Sequence, residues 1–316
     1  MKNQRPALPR HCGDSAPPAP DLDPVLDPVL AALHADPVEI VRPEEHRLPF
    51  IFASPHSGRC YPAGLAARSQ LSAEMLRRSE DAYVDELFAV VPALGAPLLA
   101  ARFPRAYVDV NRAPGELDPE MFDGPLPCAL DTPSPRVAAG LGVIPRVIRE
   151  GLDIYRDRLS IEEAGERLTS LYRPYHTALG RLVEETYRRF GCAVVIDCHS
   201  MPSMPAAPAI VFGDCYGTTL HPALLRHCEQ AFLQNGFVTA RNAPYAGGYT
   251  THRYARREAG IHTLQIEINR GLYLDEERVA KTAAFAGIKG RIATALRQLV
   301  RFDWQRLRPA PPLAAE

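Results

Sequence analysis

From Arg47 onward, short and almost wholly apolar runs alternate with amphipathic stretches of helical period. Leu48–Ala53 (LPFIFA) reads as a buried strand that stops at Ser54-Pro55-His56-Ser57-Gly58, which is loop chemistry. Val84, Leu87, Phe88 and Val91 recur at i, i+3, i+4 and i+7, which predicts a helix ending before Gly95. Pro97–Ala101 and Ala106–Val110 predict two more strands. Arg173–Phe190 carries Leu179, Leu182, Val183, Thr186, Tyr187 and Phe190 on one helical face, and Gly191 suits its C-cap. It runs straight into Ala193–Cys198 (AVVIDC), a buried strand that ends at His199. Ala209–Phe212 and Ile261–Ile268 predict further strands. Ala223–Leu233 and Arg278–Val300 predict helices, the second interrupted by Gly287 and Gly290. This alternation predicts a single α/β domain over residues 37–316, built in three layers.

Two segments stand outside the pattern. Residues 1–36 are rich in Pro, Asp and Ala without a sustained period, and read as a mostly disordered tail with one short helix near Pro24–His34. The echo DPVLDPVL is too short to be a structural repeat. Pro114–Pro145 is rich in Pro and Gly and reads as a long irregular segment near the site, of the kind that forms lids.

Composition narrows the class. With 46% hydrophobic and 23% charged residues in 316, the chain is an ordinary globular protein. A net charge of -1 gives no footprint for nucleic acid or an anionic membrane. No apolar run approaches the roughly 20 residues of a membrane helix, and the N-terminus lacks the apolar core of a signal peptide. The seven cysteines are scattered and form no CxxC pair, which points to a reducing compartment rather than a disulfide framework. The expectation is a soluble, cytoplasmic protein with a small-molecule ligand.

Several polar residues sit where apolar strands stop, the place where open α/β sheets bind ligands. His56 follows FIFASP, and His199 ends VVIDCHS. Strand alternation puts Asp197 and His199 on one face and Cys198 on the other, which suits a metal-binding histidine supported by its neighbour and argues against a Cys198–His199 dyad. A hydrogen-bonded loop or core histidine is the bland alternative for each. The HxxE pair of carboxypeptidase-type sites is absent, because His56 plus three is Arg59. A third ligand would then come from Ser79-Glu80-Asp81, with Asp81 favoured over Glu80; acids that simply favour a helix N-terminus are the competing account. Glu267, in LQIEINR, is an acid on an apolar strand. It is either paired, for instance with Arg270, or a general base with a raised pKa. Arg105 to Arg112 places alternate polar residues on one expected strand face and ends in Asn111-Arg112, an arginine suited to a carboxylate. Gly247-Gly248 precede a run of polar groups that can contact a ligand.

Taken together, SPHSG at 54–58, DVNR at 109–112, RPYH at 173–176, DCHS at 197–200, GGYTTHRY at 247–254 and LQIEINR at 264–270 resemble the N-formylglutamate amidohydrolases. The resemblance spans about residues 47–275, and its six motifs occur in order. It implies a three-layer α/β sandwich with a mixed central sheet, similar to zinc carboxypeptidases and aspartoacylase. It implies that His56, Asp81 and His199 bind one zinc ion, with iron or cobalt as alternatives, and that Glu267 is the base. Arg105 would polarise the scissile carbonyl, and Asn111 with Arg112 would hold a substrate carboxylate. His176, His252 and Arg253 would line the pocket. The implied activity is hydrolysis of the formyl amide of N-formylglutamate or a similar acidic N-acyl amino acid. An aspartoacylase-like deacylase and a non-catalytic binding protein of the same fold are the alternatives. No GxSxG elbow is present to support a serine hydrolase.

Overall fold

The computed structural model describes residues 27–127 and 133–309. A seven-stranded sheet runs through the molecule, formed by β1 (Val38–Val41), β2 (Phe50–Ser54), β3 (Leu98–Ala101), β4 (Ala193–Met201), β5 (Ile210–Gly213), β6 (Thr239–Arg241) and β7 (Ile261–Asn269). Their spatial order is β1-β3-β2-β4-β7-β5-β6. The pairs β3/β2, β2/β4, β4/β7 and β5/β6 are parallel, whereas β1/β3 and β7/β5 are antiparallel. The sheet is therefore mixed, as expected. Its central strands β2, β4 and β7 are buried on both faces, which is why they read as nearly continuous apolar runs.

Helices cover both faces and complete three layers. One face of the sheet presents Phe52, Ile196, Cys198, Phe212 and Ile266 to a core that includes Leu224 and Phe232 of helix Pro222–Gln234 and Ile292 and Leu296 of helix Phe285–Leu299. The other presents Ile51, Leu99 and Val195 to Leu179 and Leu182 of helix Arg173–Phe190. That helix has the bounds its apolar stripe predicts, and Gly191 closes it in the left-handed conformation (φ 72°). Among the described residues, no helix is long and apolar enough to cross a membrane.

Four expectations change, and one strand appears that the sequence did not announce. The helix expected in the tail is Pro28–Ala35, capped by Asp27 and seated through the buried Leu33, so the packed chain begins before residue 36; residues 1–26 lie outside the described residues. Val38–Val41 is an edge strand too short to announce itself. Residues 106–110 form no strand: after Pro104 the backbone turns, with Tyr107 N donating to Pro104 O and Arg112 N to Asp109 O. The last helix starts at Phe285, because residues from 274 first form the small hairpin Leu274–Asp275/Ala280–Lys281. The expected helix over Val84–Val91 is split into Val84–Leu87 and Val91–Leu94.

Candidate active site

The carboxyl ends of β2, β4 and β7 supply the centre of the site. Parallel pairing of β4 and β7 sets Glu267 beside His199 and Gln265 beside Asp197, so all four share a sheet face. His56 lies two residues beyond β2, and its carbonyl accepts from Asp81 N at 3.0 Å, which fixes the loop carrying Asp81. Cys198 points to the opposite face, where burial pushes its thiol far above the usual range. The dyad is excluded by direction.

His56, Asp81 and His199 are buried and converge. Asp81 Oδ2 is 2.9 Å from His199 Nδ1 and 3.2 Å from His56 Nδ1. The far edges of both rings meet other buried carboxylates: His56 Nε2 is 2.8 Å from Asp109 Oδ1, and His199 Nε2 is 2.9 Å from Asp197 Oδ2. The second is a charge contact rather than a well-aligned hydrogen bond, since Asp197 has no accepted hydrogen bond at either oxygen. Asn111 Nδ2 also lies 3.2 Å from His199 Nε2, and its amide is oriented by Oδ1 accepting from Thr250 N at 2.8 Å. Both ring nitrogens of each imidazole thus lie beside buried carboxylates, and an ionised carboxylate only accepts, so each such nitrogen either carries a proton or offers its lone pair to a cation. With Nδ1 of both rings deprotonated, the two lone pairs and Asp81 Oδ2 would converge on one point, an arrangement that a shared cation satisfies.

The electrostatics agree. Burial alone would lift the Asp81 pKa, but its contacts with His199 and His56 hold it well below the carboxylate range. Burial would likewise lower His199, yet Asp197 and Asp81 raise it well above the usual imidazole value. Without a metal the cluster takes up protons; a divalent ion answers the same demand. One donor atom from each of His56, Asp81 and His199 lies within 4.8 Å of the other two, so these residues fit a metal ion. Glu80 turns away to Arg77 Nε (3.0 Å) and the Tyr61 hydroxyl (2.9 Å), so of the two acids only Asp81 enters the cluster.

Glu267 is 6% exposed, and its Oε1 accepts from Gln265 Nε2 at 2.7 Å, leaving Oε2 open. Burial foremost, with the charge of Asp81, raises its pKa to about 7 against the opposing His199, Arg105 and Arg270. Arg270 does not pair with it. It donates through Nη2 to Asp81 Oδ1 at 2.8 Å and through Nε to Ser200 Oγ at 3.0 Å, which reserves Oδ2 for the cluster. Arg270 and Asp109 are the two site residues the sequence reading did not single out for these tasks. Asp109 joins the site twice, through His56 and by accepting from Arg105 Nε at 3.0 Å.

A cleft of about 820 Å³ opens over this cluster, lined by His56, Asp81, His199, Glu267, Arg105, Asn111 and Arg112. Gly248 can approach Asn111 only because it lacks a side chain; a Cβ there would lie 2.3 Å from Asn111 Nδ2. The segment expected near the site forms part of the wall through Arg136, Leu141 and Pro145; its residues 128–132 are not described. Three expected pocket residues are elsewhere. His176 faces a separate groove, with Nε2 3.0 Å from Val110 O and Nδ1 3.0 Å from the Tyr254 hydroxyl, and burial lowers its pKa to about 4. Arg253 lines that second groove, and His252 is exposed outside both. Helix Tyr249–Tyr254 carries His252 and Arg253 away from the cleft, which its preceding glycines and Tyr245 line instead.

A family model described as N-formylglutamate amidohydrolase matches residues 48–274. The chain is 27% identical over 272 residues to an N-formylglutamate deformylase of Pseudomonas aeruginosa, covering 83% of this chain and 94% of that one. It is 28% identical over 240 residues to the N-formylglutamate deformylase of Pseudomonas putida, covering 73% and 83%. A crystal structure of N-formylglutamate amidohydrolase from Ralstonia eutropha superposes with a TM-score of 0.79 at 35% identity, over 84% of this chain and 98% of that one.

Proposed function

The chain belongs to the N-formylglutamate amidohydrolase family, and from that premise we propose that it hydrolyses the formyl amide of N-formylglutamate in a metal-dependent reaction, giving formate and glutamate. The observation that carries the reading is the convergence of His56 Nδ1, His199 Nδ1 and Asp81 Oδ2 beside an open Glu267 carboxylate oxygen. His56, Asp81 and His199 would hold one divalent ion. Two imidazoles and a carboxylate suit zinc, and iron and cobalt accept the same donors. When bound, such an ion supplies Lewis acidity, which polarises the amide carbonyl and acidifies water.

The protein's own groups do the rest. Glu267 Oε2 accepts the proton of the attacking water and returns it to the departing amine nitrogen, a task suited to a carboxyl whose pKa lies near neutrality. Arg105 is held by Asp109 at the edge of the cluster, where its remaining N–H groups can stabilise charge developing on the amide oxygen. Arg112 donates through Nε to Leu141 O (2.9 Å) and through Nη1 to Asn111 O (3.3 Å), and among the described residues none accepts from its Nη2. That group is available to a substrate carboxylate. Asn111, already engaged by Thr250 and facing His199, orders the site rather than gripping substrate. His176 acts from behind, through the Val110 carbonyl next to Asn111. We place the reaction in the cytoplasm, in line with cysteines that show no disulfide pattern.

Assaying N-formyl, N-acetyl and N-succinyl glutamate side by side tests the reading. The formyl compound should be cleaved fastest. Faster release of acetate or succinate would assign the protein to deacylation of another N-acyl amino acid.

A further inference from the structure

Arg112 and Arg136 are joined through one residue, Leu141. Its carbonyl accepts from Arg112 Nε at 2.9 Å, and its N–H donates to the Arg136 carbonyl at 2.8 Å. Both arginines line the cleft, and among the described residues neither has a carboxylate within hydrogen-bond distance. The nearest carboxylate to Arg112, Asp109 Oδ2, is 3.9 Å from Nε and is already held by Arg105. Among the described residues no carboxylate pairs with Arg136. Glu116 is committed to Ala113 N (2.9 Å) and Ser134 Oγ (2.8 Å). The like charge is felt: burial foremost lowers the Arg112 pKa, Asp109 opposes, and Arg105 and Arg136 add to the lowering. Two like charges on one wall favour an anionic occupant.

Building on the function proposed above, we propose that Arg112 and Arg136 read the two carboxylates of the substrate, and that Arg136 selects a dicarboxylate. Depth assigns the partners. Arg112 is buried, three residues from the Asp109 that supports His56, and so meets the carboxylate on the carbon bearing the amide nitrogen. Arg136 is exposed, where the side-chain carboxylate, two methylenes farther out, arrives. Its short helix Pro135–Ala138 is set by Ser134 accepting from Val137 N at 3.1 Å, which holds the backbone that carries the arginine at the cleft wall. A guanidinium fork matches a carboxylate in two parallel hydrogen bonds.

The test is Arg136→Gln, with Arg136→Lys beside it, assayed on N-formylglutamate and its neutral isostere N-formylglutamine. Glutarate and butyrate binding are measured by calorimetry on the same proteins. In Arg136→Gln, kcat/KM for N-formylglutamate should fall about tenfold or more, and that for N-formylglutamine should stay within about twofold. Glutarate should bind the variant about tenfold more weakly and butyrate equally, with Arg136→Lys in between. Unchanged substrate preference, or unchanged glutarate affinity, overturns the clamp. If the wild-type protein cleaves neither formyl compound while glutarate binding still depends on Arg136, the clamp stands and the deformylase reading fails.

Discussion

Asp109 Oδ1 lies 2.8 Å from His56 Nε2, on the ring edge opposite the one that faces Asp81. With a metal at Nδ1, this contact would hold the ring proton on Nε2 and keep the Nδ1 lone pair for the ion. Asp109→Asn keeps the shape but removes the charge that imposes this tautomer. Metal affinity, measured by competition with a chromophoric chelator, should fall by about 10–100-fold. Unaltered affinity would mean that His56 is oriented by something other than Asp109.

Glu267 gives a pH prediction with a definite sign. Its carboxyl is raised to about 7, and the base must be ionised, so kcat/KM should be low in acid and rise with pH to a plateau. A bound dication favours the carboxylate, which places the midpoint at or below about 7. Glu267→Gln should retain its metal, lose turnover by about 10²-fold or more, and lose this acid limb. Loss of the metal instead would make Glu267 a ligand, and persistence of the limb would assign it to another group.

Gly248 tests the loop that closes on Asn111. In Gly248→Ala the new Cβ would meet Asn111 Nδ2 at 2.3 Å and Oδ1 at 2.5 Å, so the amide must move and its hydrogen bond from Thr250 N is lost. Overpacking of this kind costs about 1–3 kcal/mol, and kcat/KM should drop about tenfold through His199, which Asn111 touches. Gly64→Ala, where nothing lies within 4 Å of the added carbon, is the control and should keep the parent kinetics with a thermal midpoint no lower than the parent's.

Much of this site is legible along β4 and β7, because strand alternation alone puts Asp197 with His199 and isolates Cys198. What alternation cannot give is register between strands distant in the chain, and that register sets Glu267 beside His199. Arg270 shows the same limit. Three residues after Glu267, it reads as that residue's partner, yet it reaches Asp81, 189 positions away. Residues 106–110 alternate like a strand, but after Pro104 they turn, and Asp109 N finds its acceptor in Val143 O. His176, His252 and Arg253 entered through resemblance, which carries residue identity but not direction; in the fold they face away from the cleft.

The central claim is that His56, Asp81 and His199 hold a metal on which amide hydrolysis depends. The most direct measurement is N-formylglutamate turnover by exhaustively chelated protein during titration with zinc. The account predicts negligible turnover in the chelated protein, recovery that saturates at about one equivalent, and no recovery in His199→Ala. Full turnover by the metal-free protein would contradict it.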